Sequence, residues 1–126
     1  MKRDMELIRK ILLAVEDSKD ASRRGFRPEI DGYEDEVIQA HVGLLWNKGL
    51  LKAMDGSSRD GESYIITGLT WEGYDFIEAA RNEAVWRKAI HVVMEKGGGI
   101  TLEIMSQLLK KLLQQHVLGN SGGEVI

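Results

Sequence analysis

At 126 residues the chain is the size of one domain, able to bury roughly two-thirds of the surface it exposes when unfolded. Its 43% hydrophobic and 29% charged content is that of a globular protein rather than a disordered one. The absence of cysteine excludes disulfides and thiolate metal sites and agrees with a cytoplasmic protein. No apolar run reaches the ~20 residues that a membrane-spanning helix needs, so no membrane association is expected.

The first helix is expected from about Asp4 to Glu16, capped by Asp4, with Met5, Ile8, Leu12 and Val15 as a core stripe. Ser18 to Arg24 is polar and breaks the pattern, so no helix is expected there. Phe26 to Ile30 suits a short edge strand, where Pro28 is tolerated, and Asp31-Gly32 is a turn signal. A second strong helix covers about Tyr33 to Lys48. Glu34, Asp35 and Glu36 favour its positive N-terminal dipole, and Gly49 stops it. Leu50–Met54 and Tyr64–Leu69 read as strands around a flexible polar loop, Asp55 to Glu62. Thr70 caps a helix to about Arg81. Asn82 caps another, Glu83 to Lys96, unless the two are continuous. After Gly97-Gly98-Gly99, Thr101 caps a last helix from Leu102 to about Leu118, closed by Gly119.

These elements predict a mostly α chain with a small β-hairpin (α+β): a winged helix-turn-helix-like core with a C-terminal helical extension. Residues 1–81 form the core. Residues 82–118 form a helical hairpin packed on it within the same domain, and residues 119–126 form a flexible tail.

At 100° per residue, Val37, Ile38, His41, Leu44 and Leu45 share the side of the second helix that faces the core. His41, within that stripe, is expected to be a hydrogen-bonded core histidine. Gln39, Gly43 and Trp46 lie opposite, flanked by Val42 and Asn47. A helix-turn-helix presents that outward face to the DNA groove. Here it carries no Lys or Arg, so Gln39, Gly43, Trp46 and Asn47 are the candidate contacts to an unidentified protein partner. Trp46 either anchors such a partner or folds back as core. Under the alternative, a DNA-binding regulator, Arg59 of the hairpin loop and Lys2, Arg3, Arg23 and Arg24 would contact phosphates. Charge argues against it: residues 1–25 carry seven Lys/Arg to five Asp/Glu, but residues 26–63 carry four to eight.

The segments Met1-Lys2-Arg3-Asp4-Met5, His41-x-x-Leu44-Leu45-x-x-x-Gly49-Leu50 and Leu69-Thr70-Trp71-Glu72-Gly73-Tyr74-Asp75-Phe76 resemble the bacterial and prophage domain-of-unknown-function family numbered 2513. Trp86 and the Thr101-Leu102-Glu103 helix start are similar too, so the resemblance runs from residue 1 to about 118. It implies a phage or prophage association. The wider likeness is to regulators of the MarR and PadR types, which bind DNA as dimers. The family has no established activity, so it assigns no catalytic or ligand residues. The segment between the first helix and Tyr33 has no helix where a helix-turn-helix keeps its positioning helix.

No chemistry of catalysis is legible. Glu34-Asp35-Glu36 is explained by a helix start, and Asp55 to Glu62 departs from a calcium loop at Arg59. Gly97-Gly98-Gly99 follows a helix and lacks Gly-Lys-Ser/Thr, so it reads as a hinge. His91 and His116 lack the spacing of a metal pair, and no Ser/His/acid set is visible. The expectation is a protein that is no enzyme and uses no cofactor or metal. The last helix is unusually apolar (Ile104, Met105, Leu108, Leu109, Leu112, Leu113, Val117, Leu118) and its neighbour carries Val85, Trp86, Ala89, Ile90 and Val93. One domain covers a single stripe of such a helix, so a homodimer through the C-terminal helices is expected.

Overall fold

The computed structural model describes residues 2–19 and 21–125. The expected fold class holds: the chain is mostly helical, with one two-stranded antiparallel hairpin. Its backbone falls into two compact units, Met1–Tyr74 and Asp75–Ile126. The division falls inside the helix Trp71–Ala80.

In the first unit, α1 (Met5–Asp17) begins where Asp4 accepts the Leu7 N–H at 3.1 Å, satisfying a donor the helix leaves free. Its buried side is wider than the expected stripe, taking in Leu7, Ile8, Ile11, Leu12 and Val15, because it packs against both α3 and β2. The polar stretch after it holds a short helix where none was expected. This is α2 (Ala21–Arg24), anchored by buried Ala21 and packed on β2. Periodicity over four residues is too short to read, so only tertiary contact discloses such an element.

The edge strand expected over Phe26–Ile30 is reduced to one bridge, in which Phe26 and Ile66 exchange N–H···O bonds of 2.8 and 2.9 Å. Two residues on, Pro28 has no N–H to continue a ladder. Next comes α3 (Asp35–Asn47), which ends at Gly49 with φ +78°, a left-handed conformation that glycine adopts without steric cost. Strands β1 (Leu51–Asp55) and β2 (Tyr64–Leu69) follow, paired from Leu51↔Leu69 to Asp55↔Tyr64 with a bulge beside Lys52/Ala53. The loop between them is braced by its own side chains. Asp55 accepts the Ser57 N–H at 2.8 Å, Ser57 Oγ accepts the Ser63 N–H at 3.0 Å, and Ser58 and Gly61 close an inner turn.

Helix α4 (Trp71–Ala80) starts on Thr70, whose Oγ1 accepts the Gly73 N–H at 3.1 Å. It is separate from α5 (Glu83–Glu95), which is capped by Asn82 accepting the Val85 N–H at 3.0 Å. In the second unit α5 packs along α6 (Leu102–Val125), burying Val85, Trp86, Ala89, Val93, Leu102, Met105 and Leu109. Thr101 caps α6 as expected, through the Ile104 N–H at 3.1 Å.

Gly119 does not close α6, which continues to Val125. A terminating glycine needs positive φ, and Gly119, unlike Gly49, does not have it. Within a helix glycine costs only about 1 kcal/mol relative to alanine, which does not end the element. Ile126, the last residue of the expected tail, lies outside the described residues. No helix among the described residues is long and apolar enough to cross a membrane.

Candidate functional site

The structure turns the expected contact face of α3 inward. Gln39 is 1% exposed, and its Oε1 accepts the Tyr64 N–H at 2.7 Å. Gly43 is buried, and a Cβ there would stand 2.9 Å from the Tyr64 hydroxyl and 3.0 Å from its ring. Trp46 is half-buried, its ring tilted at 52° to that of Tyr64 with 5.7 Å between centroids. The three residues read as a partner contact instead seat Tyr64. A single buried stripe does not describe a helix packed by α1 on one side and the hairpin on another. Asn47 is exposed as expected. The surface that α3 keeps carries Asp35, Glu36, Leu44 and Asn47, so Leu44, expected in the core, stands partly in solvent. The Gln39 Nε2 is enclosed without an acceptor among the described residues, which costs about 1–3 kcal/mol.

His41 is fully buried, as expected of a core histidine. Its Nε2 accepts the Asp4 backbone N–H at 2.9 Å, which leaves the proton on Nδ1 to be donated to the Val37 carbonyl at 2.8 Å. Asp4 thus joins three elements: it caps α1, leans on α3 through His41, and accepts the Tyr33 hydroxyl at 3.1 Å. Partial burial raises the Tyr33 pKa, and the bond to Asp4 and the charges of Asp4 and Glu6 push it the same way.

Between the first turn of α3 and the hairpin loop lies a groove lined by Asp35, Glu36, Asp60 and Glu62, with Arg27 as its basic residue. The Arg27 guanidinium is occupied, bonding Asp35 at 2.6 Å and Ser63 Oγ at 2.7 Å. The basic residues of the alternative reading are all exposed, on three separate elements: Lys2 and Arg3 ahead of α1, Arg23 and Arg24 at the end of α2, and Arg59 in the loop. Where the helix and loop approach each other, the surface is therefore acidic. In the second unit, His91 lies 3.0 Å from Glu95 on its own helix.

The aromatic surface lies elsewhere. Trp71 is 85% exposed and Tyr74 51%, and with Lys52, Leu69 and Thr70 they line a groove beside the hairpin. The sequence carried a signal for this. Buried Gly73, Phe76, Ile77 and Ala80 lie within about 60° of the direction opposite Trp71 on a 100° wheel, so a residue at the Trp71 position points to solvent. Gly73 is there for a close approach: a Cβ would meet the Leu50 carbonyl oxygen at 2.1 Å. The Thr70 hydroxyl donates to the Gly49 carbonyl, so Leu-Thr-x-x-Gly docks the first turn of α4 onto the entry to the hairpin.

Fold and surface define a mostly helical α+β protein with a two-stranded hairpin and an exposed aromatic groove. It belongs to the family described as "Hypothetical protein (DUF2513)", whose sequence profile matches residues 2–99, ending ahead of α6. The chain is similar to an "Uncharacterized protein" of Haemophilus influenzae, 31% identical over 115 residues, or 91% of this chain and 98% of that protein. No solved structure matches the chain.

Proposed function

We propose that this chain is a non-enzymatic, cytoplasmic interaction module of winged-helix type that engages a protein partner through its Trp71–Tyr74 groove and pairs with a second copy through α6. The observation that carries the reading is the exposure of Trp71, at 85%, beside a half-exposed Tyr74. These are residue types that dominate the energy of protein interfaces. The winged-helix element is supported by the order α1, α2, α3, β1, β2, in which α2 takes the place of the positioning helix. Phage or prophage association follows from the family resemblance and is tested by the genes beside this one.

A partner should be captured by cross-linking in cells of the source and then purified. Its affinity is expected to fall at least tenfold for Trp71→Ala, while stability stays within about 0.5 kcal/mol, as for a surface substitution. A partner that binds the variant unchanged would overturn the reading.

The order of elements also favours DNA binding, with Arg59, Lys2, Arg3, Arg23 and Arg24 on phosphates. Against it stands the acidic lining of the α3–loop groove, since cations supply most non-specific DNA affinity. Titration of labelled duplex DNA at low and at moderate salt separates the two. The expected result is no binding at either; micromolar affinity with a steep salt slope would replace protein contact with DNA contact.

A further inference from the structure

A two-stranded sheet has two outer edges, and here they differ. The outward edge of β2 is occupied: Ile66 bonds Phe26 in both directions, and the Tyr64 N–H is taken by Gln39. The direction of the β1 groups follows from the bonds at its ends. Leu50 accepts from the Thr70 N–H at 3.2 Å and Gly56 donates to the Ser63 carbonyl at 2.8 Å, so Leu50 and Gly56 both face β2. The register steps from Lys52↔Gly68 to Ala53↔Ile66, which places the extra residue, Thr67, in β2 and leaves the alternation of β1 unbroken. Lys52 and Met54 therefore face β2, while Leu51, Ala53 and Asp55 turn their N–H and C=O groups the other way. Among the described residues no backbone hydrogen bond reaches that side of β1. Leu51 is buried, but Ala53 is half-buried and Asp55 exposed, so these two are within reach of solvent.

The groove of about 480 Å³ lined by Lys52, Leu69, Thr70, Trp71 and Tyr74 includes a residue of the same strand, and Met54, two residues on from Lys52 and so on the same face of β1, is 60% exposed. We propose that an extended peptide segment of a partner protein adds to β1 as a third strand, bonding Ala53 and Asp55. It would lay one apolar side chain against Trp71 and Tyr74 and bring a carboxylate to Lys52. Two features choose this occupant. A row of outward N–H and C=O groups is complemented by extended backbone, with side chains on alternate positions entering flanking pockets. The ammonium of Lys52, the cation among the groove-lining residues, is complementary to an acidic side chain. The proposal rests on the interaction reading of the Trp71–Tyr74 surface and adds the form and chemistry of what binds there.

The test is selection of a random displayed peptide library on the full chain, followed by titration of the enriched synthetic peptides. Ala53→Pro removes one outward N–H without touching the ladder to β2, a position at which an edge strand tolerates proline. It should lower peptide affinity at least tenfold with the melting temperature unchanged. Amide exchange at Asp55 should slow at least tenfold when peptide saturates the chain, and Lys52→Glu should discriminate against the acidic peptides. If Trp71→Ala abolishes binding while Ala53→Pro and exchange at Asp55 show nothing, strand addition is overturned and the interaction reading stands. Enrichment of basic peptides, or of none, overturns the proposal, the interaction reading then resting on its own partner measurement. Exchange protection that rises with protein concentration alone would assign the edge to a second copy and also overturn it.

Discussion

Tyr33 shows how one side chain ties a surface loop to a helix start. Its hydroxyl donates to Asp4, and burial followed by that bond raises its pKa, so the fold favours the protonated phenol. A group whose pKa is raised on folding contributes in full below its unfolded value and loses that contribution as pH rises through the folded one. The window is therefore alkaline, above the ordinary value of 10.0. Absorbance titration should show a late-ionising phase, and Tyr33→Phe should remove it. A late phase that survives in Tyr33→Phe would refute the coupling. At the same scale, Gln39, Gly43 and Trp46 mark where residue type alone misassigns the exposed side of α3. An amide, a glycine and an aromatic on one side of a helix suit a contact surface, and they equally suit the seat of a tyrosine from the hairpin.

At the scale of elements, the junction from hairpin to α4 is set by Thr70 and Gly73. Thr70 caps the helix and holds the Gly49 carbonyl, while Gly73 lets the helix backbone approach Leu50 more closely than any side chain allows. Gly73→Ala should therefore cost about 1–3 kcal/mol, the penalty of forcing an atom into occupied space. The measurement is the denaturant midpoint, with Trp71→Ala as the exposed control. An unchanged midpoint would mean that the first turn of α4 shifts freely. Long elements with caps were legible from their residues: α1 from Asp4, α4 from Thr70, α5 from Asn82, α6 from Thr101. The short α2 and the single bridge at Phe26 were not, since each exists through contact with β2 rather than through local preference.

For the whole molecule, the proposed homodimer draws on α6, whose Ile104, Val117 and Leu118 are 51%, 53% and 61% exposed. The thirteen residues of α5 are too few to run the length of the twenty-four of α6. Light scattering at roughly tens of micromolar, where mass action favours association, should give twice the chain mass. Leu118→Glu should restore the single-chain mass. A single-chain mass for the unaltered protein would refute dimerisation through this helix.

The sequence by itself determined the five long helices, the existence of the hairpin, four of the helix caps and the burial of His41, because periodicity and capping are local properties of a chain. It also carried the family, through segments that persist as text. Which side of α3 meets solvent was decided only by the tertiary structure, since a helix packed by two neighbours has two buried sides and a wheel drawn on hydrophobicity finds one. The free edge of β1 was likewise decided there: whether a strand's outward groups are paired depends on what the rest of the chain brings beside it.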